Sequence, residues 1–296
     1  MLTEAQWLDA TRRNARSVQT LIGWTFWDPG ALARYEVLGV PGPYGYVASR
    51  CAPLAPAGPD AVIAAFGSIS PAVIRHTFEL VGAGSSFESL WEARDAAVLE
   101  GLAAFASSVL GPLEELGPAL WPVVENLSSL GRTFFAAHLR MPRPADPVLS
   151  GWHAVNCLRE WRGDTHWALV AGEGLSGPEA SVLHNAWLGY EPDWIPISRG
   201  TSSEDLDAAW EALAGRGLAA GRTVNASGLA LRQDIEDRTD ALCMGVWRRL
   251  GEAATTRFPD EFEPGCALLL RRVDVTAGPN YQPASRIRLD GHRHSP

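Results

Sequence analysis

The sequence TSSEDLDAAWEALAGRGL at residues 201–218 and the sequence ASGLALRQDIEDRTDAL at residues 226–242 decide the fold of the C-terminal half. The first has apolar residues at helical spacing and ends at glycines on either side of Arg216, which predicts a helix that stops there. The second predicts a long helix, and the residues between the two predict a short two-stranded wing. With another helix predicted from Ser176 onward, this order indicates a winged-helix segment over roughly 176–245.

The wing and its flanking helices resemble the layout of MarR-like regulators over about sixty residues, in the order helix, RGL, wing and a helix beginning with SG. That resemblance implies a fold and not a function. A DNA-reading helix needs Lys, Arg, Asn or Gln facing the groove. The helix predicted over 202–214 instead carries Glu204, Asp205, Asp207 and Glu211, with no basic residue. We therefore expect the segment to bind no DNA by itself and to serve as a packing scaffold or a dimer interface.

The remainder of the chain is also predicted to be mostly helical, which places the protein in the mainly α class, as a multi-helix protein with an embedded, degenerate winged helix. Helices are predicted over residues 3–20, 29–38, 59–66, 71–80, 87–109, 113–126, 129–138, 148–162, 164 onward, 176–188, 202–214 and 226–245. Residues 39–46, GVPGPYGY, predict a loop, and Leu268–Val275 is the best strand signal outside the wing.

The segment 141–147, MPRPADP, is predicted to be a linker, because three prolines in seven residues forbid a continuing helix. The chain is accordingly divided into an N-terminal helical domain (1–145), a helical and winged-helix-like domain (146–260) and a partly flexible C-terminal extension (261–296).

The composition excludes several chemistries. All 25 basic residues are arginine, so there is no lysine for a pyridoxal-phosphate aldimine, a Schiff base or a P-loop. The net charge of −9 disfavours non-specific attraction to polyanions. No cofactor is predicted.

The same sequence indicates a cytoplasmic protein without a membrane span. No apolar run reaches the roughly 18–20 residues that a span needs. The N-terminus lacks the short apolar core of a signal peptide. Four widely scattered cysteines form no CxxC pair, which argues against a disulfide framework or a thiolate zinc site.

The richest stretch for chemistry is SGWHAVNCLREWRGDTHWALV, residues 150–170. On a helical wheel, His153, Asn156, Cys157 and Glu160 fall within an arc of about 100°. The stretch is predicted to break after Arg162-Gly163, with Asp164 capping the next helix and His166 in its first turn. A helix N-terminus lowers the pKa of an imidazole and so favours the neutral form that acts as a base or a ligand.

Nine residues are predicted to form a site on this basis. Histidines suit acid/base catalysis when carboxylates orient them, and an arginine suits an anionic substrate group. The catalytic candidates are His153, Glu160, Asp164 and His166. The substrate-binding candidates are Arg159, Trp152, Trp161, Trp167 and His184, with the tryptophans as walls for an apolar or aromatic ligand.

Other interpretations of the same residues remain open. Arg159, Glu160, Arg162 and Asp164 could form only a buried ion-pair network at a tight inter-helix turn, or a solvated polar face. A metal or haem site built from histidine and carboxylate is a further alternative, although the spacing matches no HExxH-type signature. Cys157 is interpreted as a small buried hydrophobe rather than a nucleophile.

The run WHAVNCLREWRGDTHWALV, residues 152–170, followed by EASVLH and the wing, resembles an actinobacterial group labelled SalK-like or helix-turn-helix family. The pieces ALARYEVLGV, SRCAPLAPAGPDAV and FGSISPAVIRH look like the N-terminal half of that group, so the resemblance covers roughly residues 10–250. The LRExRGDxH segment is its most specific part. The resemblance implies a helical fold with a vestigial winged helix, and it brings no established reaction.

The leading hypothesis from sequence is a small-molecule-binding helical protein with an aromatic or anionic ligand, acting as a cofactor-independent acid/base enzyme of actinobacterial secondary metabolism. The alternatives are a winged-helix transcriptional regulator with a ligand-sensing half, and a histidine-ligated metal or haem enzyme. The sequence leaves open whether the chain forms a homodimer.

Overall fold

The computed structural model describes residues 1–281 and 283, which form a mainly α structure, as the sequence predicts. The helices are α1 (Glu4–Gly23), α2 (Pro29–Val37), α3 (Pro43–Cys51), α4 (Pro59–Phe66), α5 (Pro71–Gly82), α6 (Phe87–Phe105), α7 (Leu110–Glu125), α8 (Thr133–Leu139), α9 (Pro147–Gly172), α10 (Gly177–Leu188), α11 (Trp194–Ser198), α12 (Ser203–Gly215), α13 (Ala226–Leu250) and α14 (Glu252–Thr276). The strands are β1 (Ala219–Ala220) and β2 (Thr223–Val224).

Several helices begin at a side chain that caps the first turn. Thr3 and Gln6 form a capping box at the start of α1, and Ser176 forms one with Glu179 at the start of α10. Ser70 caps α5 ahead of a proline. Side-chain caps satisfy backbone N–H groups that have no partner inside the helix, which explains why these boundaries could be predicted locally.

Helix α9 is the central element of the molecule. It packs against α1, α7, α8 and α13. Its approach to α7 is so close that a Cβ added at Gly151 would lie 1.9 Å from the Leu113 carbonyl oxygen. Only glycine fits at that position, because any side chain would overlap the backbone of the neighbouring helix.

The predicted break after Arg162-Gly163 is wrong, because α9 continues unbroken through both residues to Gly172. Asp164 is therefore not the cap of a following helix, and His166 is not in a first helical turn. A glycine inside a helix costs only about 1 kcal/mol relative to alanine. The ion pairs of Arg162 with α13 offset this cost and stabilise the helical conformation at residues 162 and 163.

Two further local predictions are wrong. Residues 39–46 were expected to form a loop, but α3 begins within them, at Pro43, after Gly42 with a φ of +58°. The expected strand Leu268–Val275 lies inside α14. The buried residues of α14 recur every three or four positions over its length, at Phe258, Phe262, Cys266, Leu269 and Val273. That helical period outweighs the short β-like run.

The winged-helix segment is present. The strands β1 and β2 pair antiparallel, with Ala219 opposite Val224, between α12 and α13. Leu183 of α10, Leu206 and Leu213 of α12, and Ile235 of α13 are buried in one apolar cluster. The long helix predicted over 226–245 extends to Leu250.

A larger apolar core surrounds the N-terminal half of α9 and includes residues from all three predicted segments, such as Leu21, Trp152 and Phe262. The boundaries at 145/146 and 260/261 stay predictions. The C-terminal extension is helical as far as Thr276, and residues 282 and 284–296 of the predicted flexible tail lie outside the described residues.

Among the described residues, no single helix has both the length and the apolar character needed to cross a bilayer. Helices at 87–105 and 107–125 reach that composition only as a pair, and the pair is bent by 111°.

Candidate ligand-binding cavity

A buried carboxylate on α9 organises the first half of the site. Glu160, 1% exposed, accepts hydrogen bonds from Arg50 of α3 at 3.0 Å (Nε) and 2.8 Å (Nη2). Arg159 Nη1 donates a third, at 2.6 Å, and Arg159 Nη2 donates to the Tyr46 hydroxyl at 3.1 Å. Burial by itself would raise the pKa of Glu160, but Arg50 and then Arg159 outweigh burial and hold that pKa well below its usual range. Glu160 is therefore ionised and fixes two guanidinium groups.

A second buried network connects α9 to α13. Arg162 Nη2 donates to Glu236 and, at 2.8 Å, to Asp240. Arg232 Nη2 lies 2.7 Å from the other oxygen of Glu236. The Asp240 carboxylate also accepts from Arg12 Nε of α1 at 3.2 Å. These ion pairs join three helices. Of the four residues predicted to form a network at a turn, Arg159, Glu160 and Arg162 form buried ion pairs, mostly with distant elements, whereas Asp164 accepts a backbone hydrogen bond.

Beside these networks lie two adjoining compartments that are partly open to solvent. They hold about 770 and 820 Å³ of space, counting the part open to solvent. Five residues line both compartments and define what we call the junction: Gln19, Arg50, Arg159, His184 and Arg199. They come from α1, α3, α9, α10 and the end of α11. The site is thus assembled from parts of the chain as far apart as residues 19 and 199.

The first compartment, which we call the arginine compartment, is strongly basic. Its charged lining consists of Arg50, Arg159, Arg162, Arg199 and Arg232, with Glu236 as the one carboxylate among the described lining residues. His166 and Trp167 of α9 also line it, together with apolar residues of α10 and α13.

The second compartment, which we call the aromatic compartment, has a ring-rich wall: Phe26, Trp27, Tyr46, Phe66, Tyr190, Trp194 and Tyr281. Tyr281 makes edge contacts with Trp27 and with Trp194, at ring-centroid distances of 4.4 and 4.7 Å. No carboxylate lines this compartment among the described residues. Its surface suits a flat, apolar body, because aromatic rings bury large areas and pack edge-to-face or offset.

Arg199 differs from the other arginines of the junction. It is half-buried. No described residue accepts a hydrogen bond from its guanidinium, and none forms an ion pair with it. Burial and the nearby Arg50 lower its pKa to about 10, so it remains charged at neutral pH. Its backbone carbonyl accepts from Ser70 N at 3.0 Å, which fixes the turn after α11. A positively charged group that lacks a counterion in a basic cavity favours the binding of an anion.

Three buried donor atoms around the cavity have no hydrogen-bond partner among the described residues: Arg159 Nε, Arg162 Nε and Arg232 Nη1. An unsatisfied buried donor costs roughly 1–3 kcal/mol, and more when it is charged. Three arginines that line the cavity therefore each have an N–H donor with no acceptor among the described residues.

The nine predicted site residues divide between the cavity and other places. Arg159, His166, Trp167 and His184 line the cavity. Glu160 lies behind it, holding Arg50 and Arg159. Within the cavity, His166 Nδ1 lies 3.3 Å from the Thr239 hydroxyl and 4.0 Å from Glu236, while His184 Nδ1 lies 3.2 Å from Arg232 Nη2.

The other four lie outside the cavity. His153 lies two turns before Glu160, where its Nε2 is 3.1 Å from Asp95 and its ring packs edge-on against Trp91. Burial lowers the pKa of His153, against the opposing effect of Asp95. Trp152 and Trp161 are core residues whose indole N–H groups donate to the carbonyls of Leu21 and Ser128, at 2.8 and 3.1 Å.

Asp164 is a cap, although of a different helix from the one predicted. Its Oδ2 accepts from Phe135 N at 2.9 Å, in the first turn of α8. Burial raises the pKa of Asp164 to about 7, and the nearby Glu160 carboxylate adds to that rise, while the bond from Phe135 N opposes it. Its position beside α8 indicates a structural role.

Sequence reasoning missed the largest contributors to the cavity, namely Arg50, Arg199, Arg232 and the aromatic wall. Arg50 lies within SRCAPLAPAGPDAV, one of the stretches that carry the family resemblance. That coincidence was the one available signal for a site. Arg199 stands in a segment with no recognisable motif, and Arg232 lies in the helix after the wing, where the sequence pattern indicated the fold and not a binding residue.

Within the described part of the chain, no three His, Cys, Asp or Glu side chains are grouped closely enough to hold a metal ion. In particular, His153 lies outside the cavity that His166 and His184 line, because it stands 13 residues before His166 on the continuous helix α9.

The surface of the winged-helix segment is acidic on α12. Glu204, Asp205, Asp207 and Glu211 are all exposed there. Arg222 of the wing forms ion pairs with Asp207 and, at 2.8 Å, with Asp193. The basic group on the wing is thus already matched by carboxylates of the same chain.

Comparison with known families identifies the family of this chain. The sequence model described as a helix-turn-helix family matches residues 11–275, which is most of the chain and includes both compartments apart from Asn280, Tyr281 and Pro283. The chain belongs to this helix-turn-helix family. No curated protein and no solved structure matches it significantly.

Proposed function

We propose that this helix-turn-helix family member binds a small anionic molecule with an aromatic or apolar body. The anionic group occupies the junction, and the body extends into the aromatic compartment. The observation that carries the proposal is Arg199, a charged guanidinium with no counterion among the described residues, beside the paired Arg50 and Arg159.

The electrostatics of the junction support an anion. Arg50 and Arg159 share a single carboxylate, Glu160, and Arg199 adds a further positive charge. Placing three cations around one anion in a partly desolvated space is unfavourable unless a bound anion completes the set. Arginine also suits this role because its planar donors bind carboxylate and phosphate oxygens in pairs.

The aromatic compartment supports the second half of the proposal. Ligand pockets combine a mostly apolar wall with a few convergent polar groups that fix orientation. Here the polar groups meet at the junction, and rings such as Trp27, Trp194 and Tyr281 form the wall.

The winged-helix segment supports ligand binding over direct DNA reading. Its α12 surface presents four carboxylates, and the nearby Arg222 is engaged by Asp193 and Asp207. A phosphate-lined groove would be repelled by that surface. We propose that the segment is retained as a scaffold, since α10 and α13 supply His184 and Arg232 to the cavity.

We further propose, from the residue resemblance alone, that the chain is SalK-like and serves actinobacterial secondary metabolism in the cytoplasm. The LREWRGDTH run, residues 158–166, carries that resemblance and also supplies Arg159, Arg162 and His166 to the cavity. Part of the run that carries the resemblance therefore lines the proposed site.

Acid/base catalysis in the same cavity is a second candidate function. One observation favours it: His166 lies in the arginine compartment with the Glu236 carboxylate 4.0 Å from its Nδ1. A carboxylate near an imidazole can orient it and stabilise its protonated form. On this view His166 replaces His153 as the acid/base group, because His153 lies outside the cavity.

Thermal unfolding of the full-length chain tests the binding proposal. Benzoate, phenylacetate and indole-3-acetate should raise the melting temperature in a concentration-dependent way, since a ligand that binds only the folded state stabilises it. The corresponding neutral amides, which have the same shape, should have a much smaller effect. Equal stabilisation by acids and amides, or none by either, would refute the anion site.

The matched variants are Arg199→Gln and Arg257→Gln. Arg199 has no ion pair to lose, so its variant should fold normally while losing most of the acid-dependent stabilisation. Arg257 is exposed on α14 and pairs with Glu261, away from the cavity lining, so its variant should respond like the wild type.

A further inference from the structure

The positive charge around the cavity is not evenly balanced. Around Glu236 and Asp240, the cavity arginines Arg162 and Arg232 pair with these two carboxylates. Arg12, which also bonds to Asp240, pairs with Asp237, so this network holds three arginines and three carboxylates. At the junction, Arg50, Arg159 and Arg199 face only Glu160. The uncompensated positive charge is therefore concentrated at the junction. Three cations against one anion leave a net charge of +2 there.

Other titratable groups near the junction do not remove this excess. Burial lowers the pKa of His138 to about 4, so that histidine is neutral at pH 7. Asp164 lies behind Glu160, bonded to Phe135 N, and does not line either compartment. Because the pKa of Asp164 is raised to about 7, it carries only part of a charge at that pH. The excess at the junction stays greater than one.

The donors at the junction also converge from several directions. Arg50 uses Nε and Nη2 for Glu160, and Arg159 uses Nη1 for Glu160 and Nη2 for Tyr46. Arg159 Nε and the whole guanidinium of Arg199 are unengaged among the described residues. Gln19 of α1 also lines the junction. A carboxylate offers two oxygens in one plane, whereas a phosphate monoester offers three terminal oxygens in a pyramid.

We propose that the anionic group bound at the junction is a dianionic phosphate monoester, carried by a molecule whose aromatic or apolar body fills the aromatic compartment. The inference rests on the proposed function and narrows it to a ligand class. A monoanion leaves a buried positive charge uncompensated, and a dianion neutralises the junction. The three terminal oxygens also provide acceptors for the unengaged donors of Arg159 and Arg199 and for Gln19, which come from α9, the turn after α11 and α1.

Isothermal titration calorimetry at pH 7.0 with three probes tests this assignment on the full-length chain. Phenyl phosphate is mostly dianionic at that pH, because the second pKa of a phosphate monoester is about 6. Methyl phenyl phosphate keeps the ring and the phosphorus but carries one charge and two free oxygens, and benzoate is a monoanionic carboxylate. Phenyl phosphate should bind at least about 10-fold more tightly than either of the others.

Arg199→Gln provides the matched test within the protein. The variant should reduce the preference for phenyl phosphate over methyl phenyl phosphate to less than about 3-fold, while Arg257→Gln preserves it. Benzoate binding as tightly as phenyl phosphate would overturn the phosphate assignment and leave the anion site standing. If none of the three probes binds, the proposed function fails as well, so the two failures are distinguishable.

Discussion

Arg50 of α3 and Glu160 of α9 form a two-point ion pair, with hydrogen bonds of 3.0 and 2.8 Å, although they are 110 residues apart in the sequence. The Arg50 guanidinium also stacks over Phe66, 4.5 Å from the ring centroid. This pair fixes α3 against the central helix, and it places a cation at the edge of both compartments of the cavity.

Glu160→Gln is expected to destabilise the folded chain by about 3–5 kcal/mol, because it leaves Arg50 and Arg159 buried with no neutralising carboxylate. Urea unfolding followed by circular dichroism measures the loss. Glu263→Gln is the control, since Glu263 pairs with Arg13 on the surface and such pairs contribute at most about 1 kcal/mol. Equal free energies of unfolding for the two variants would contradict the ion-pair network.

Asp164→Ala is expected to lower the melting temperature, because it removes the side-chain acceptor for Phe135 N in the first turn of α8. Loss of a helix cap typically costs about 1 kcal/mol, in a range of 0.5–2. Differential scanning calorimetry at pH 4, below the range in which the raised pKa of Asp164 makes stability depend on pH, measures this packing and capping loss. An unchanged melting temperature would show that the contact contributes nothing.

Asp164→Asn is expected to change how the stability of the folded chain depends on pH. The pKa of Asp164 is raised to about 7 in the folded chain, so the folded state binds more protons than the unfolded state between about pH 4 and pH 7. Its contribution to stability therefore falls as the pH rises through that window and is constant above it. Relative to the wild type, the asparagine variant should gain stability from pH 5 to pH 8, by roughly 1–4 kcal/mol. A difference independent of pH would mean that the carboxyl group titrates normally.

The four cysteine thiols are expected to be inert in the folded chain. All four are buried, and burial raises the pKa of the Cys157 thiol to about 12, with the Glu160 carboxylate adding to the rise. Only the thiolate reacts rapidly with disulfide reagents. In native buffer, 5,5′-dithiobis(2-nitrobenzoate) should label few thiols, and in denaturant it should label all four. Rapid labelling of Cys157 in the native chain would instead indicate a reactive nucleophile.

The winged-helix segment is expected to show no sequence-specific DNA affinity at physiological salt, because α12 presents carboxylates where a reading helix needs donors. A gel-shift titration with DNA from the region upstream of its own gene measures this. A Kd at or below about 10⁻⁸ M, the usual range for specific regulators, would contradict the expectation.

Local signals predicted the framework of the fold well. Capping residues such as Thr3, Ser70 and Ser176 accept a hydrogen bond from the backbone N–H three residues later. Because both partners are close together in the chain, these helix starts can be recognised in the sequence. The wing and its long following helix were also predictable, because turn glycines and apolar spacing are local features.

The site was only partly predictable because its geometry is long-range. Arg162 and Gly163 resemble a helix end, and the partners that keep α9 helical there, Glu236 and Asp240, come more than 70 residues later. Once α9 is continuous, His153 and His166 are 13 residues apart, or about 20 Å along the axis, and cannot share one reaction centre. Arg199 reaches the junction through the turn after α11, a short helix that no sequence signal predicted.

A crystal structure of the chain with 4-bromobenzoate bound tests the central claim most directly, because anomalous scattering locates the bromine independently of the carboxylate. We expect the carboxylate within hydrogen-bond distance of Arg199 and at least one of Arg50 and Arg159, with the bromine among Trp27, Trp194 and Tyr281. A bromine outside the aromatic compartment, or a carboxylate bound away from the junction, would contradict the assignment of this cavity as an anion site with an aromatic wall.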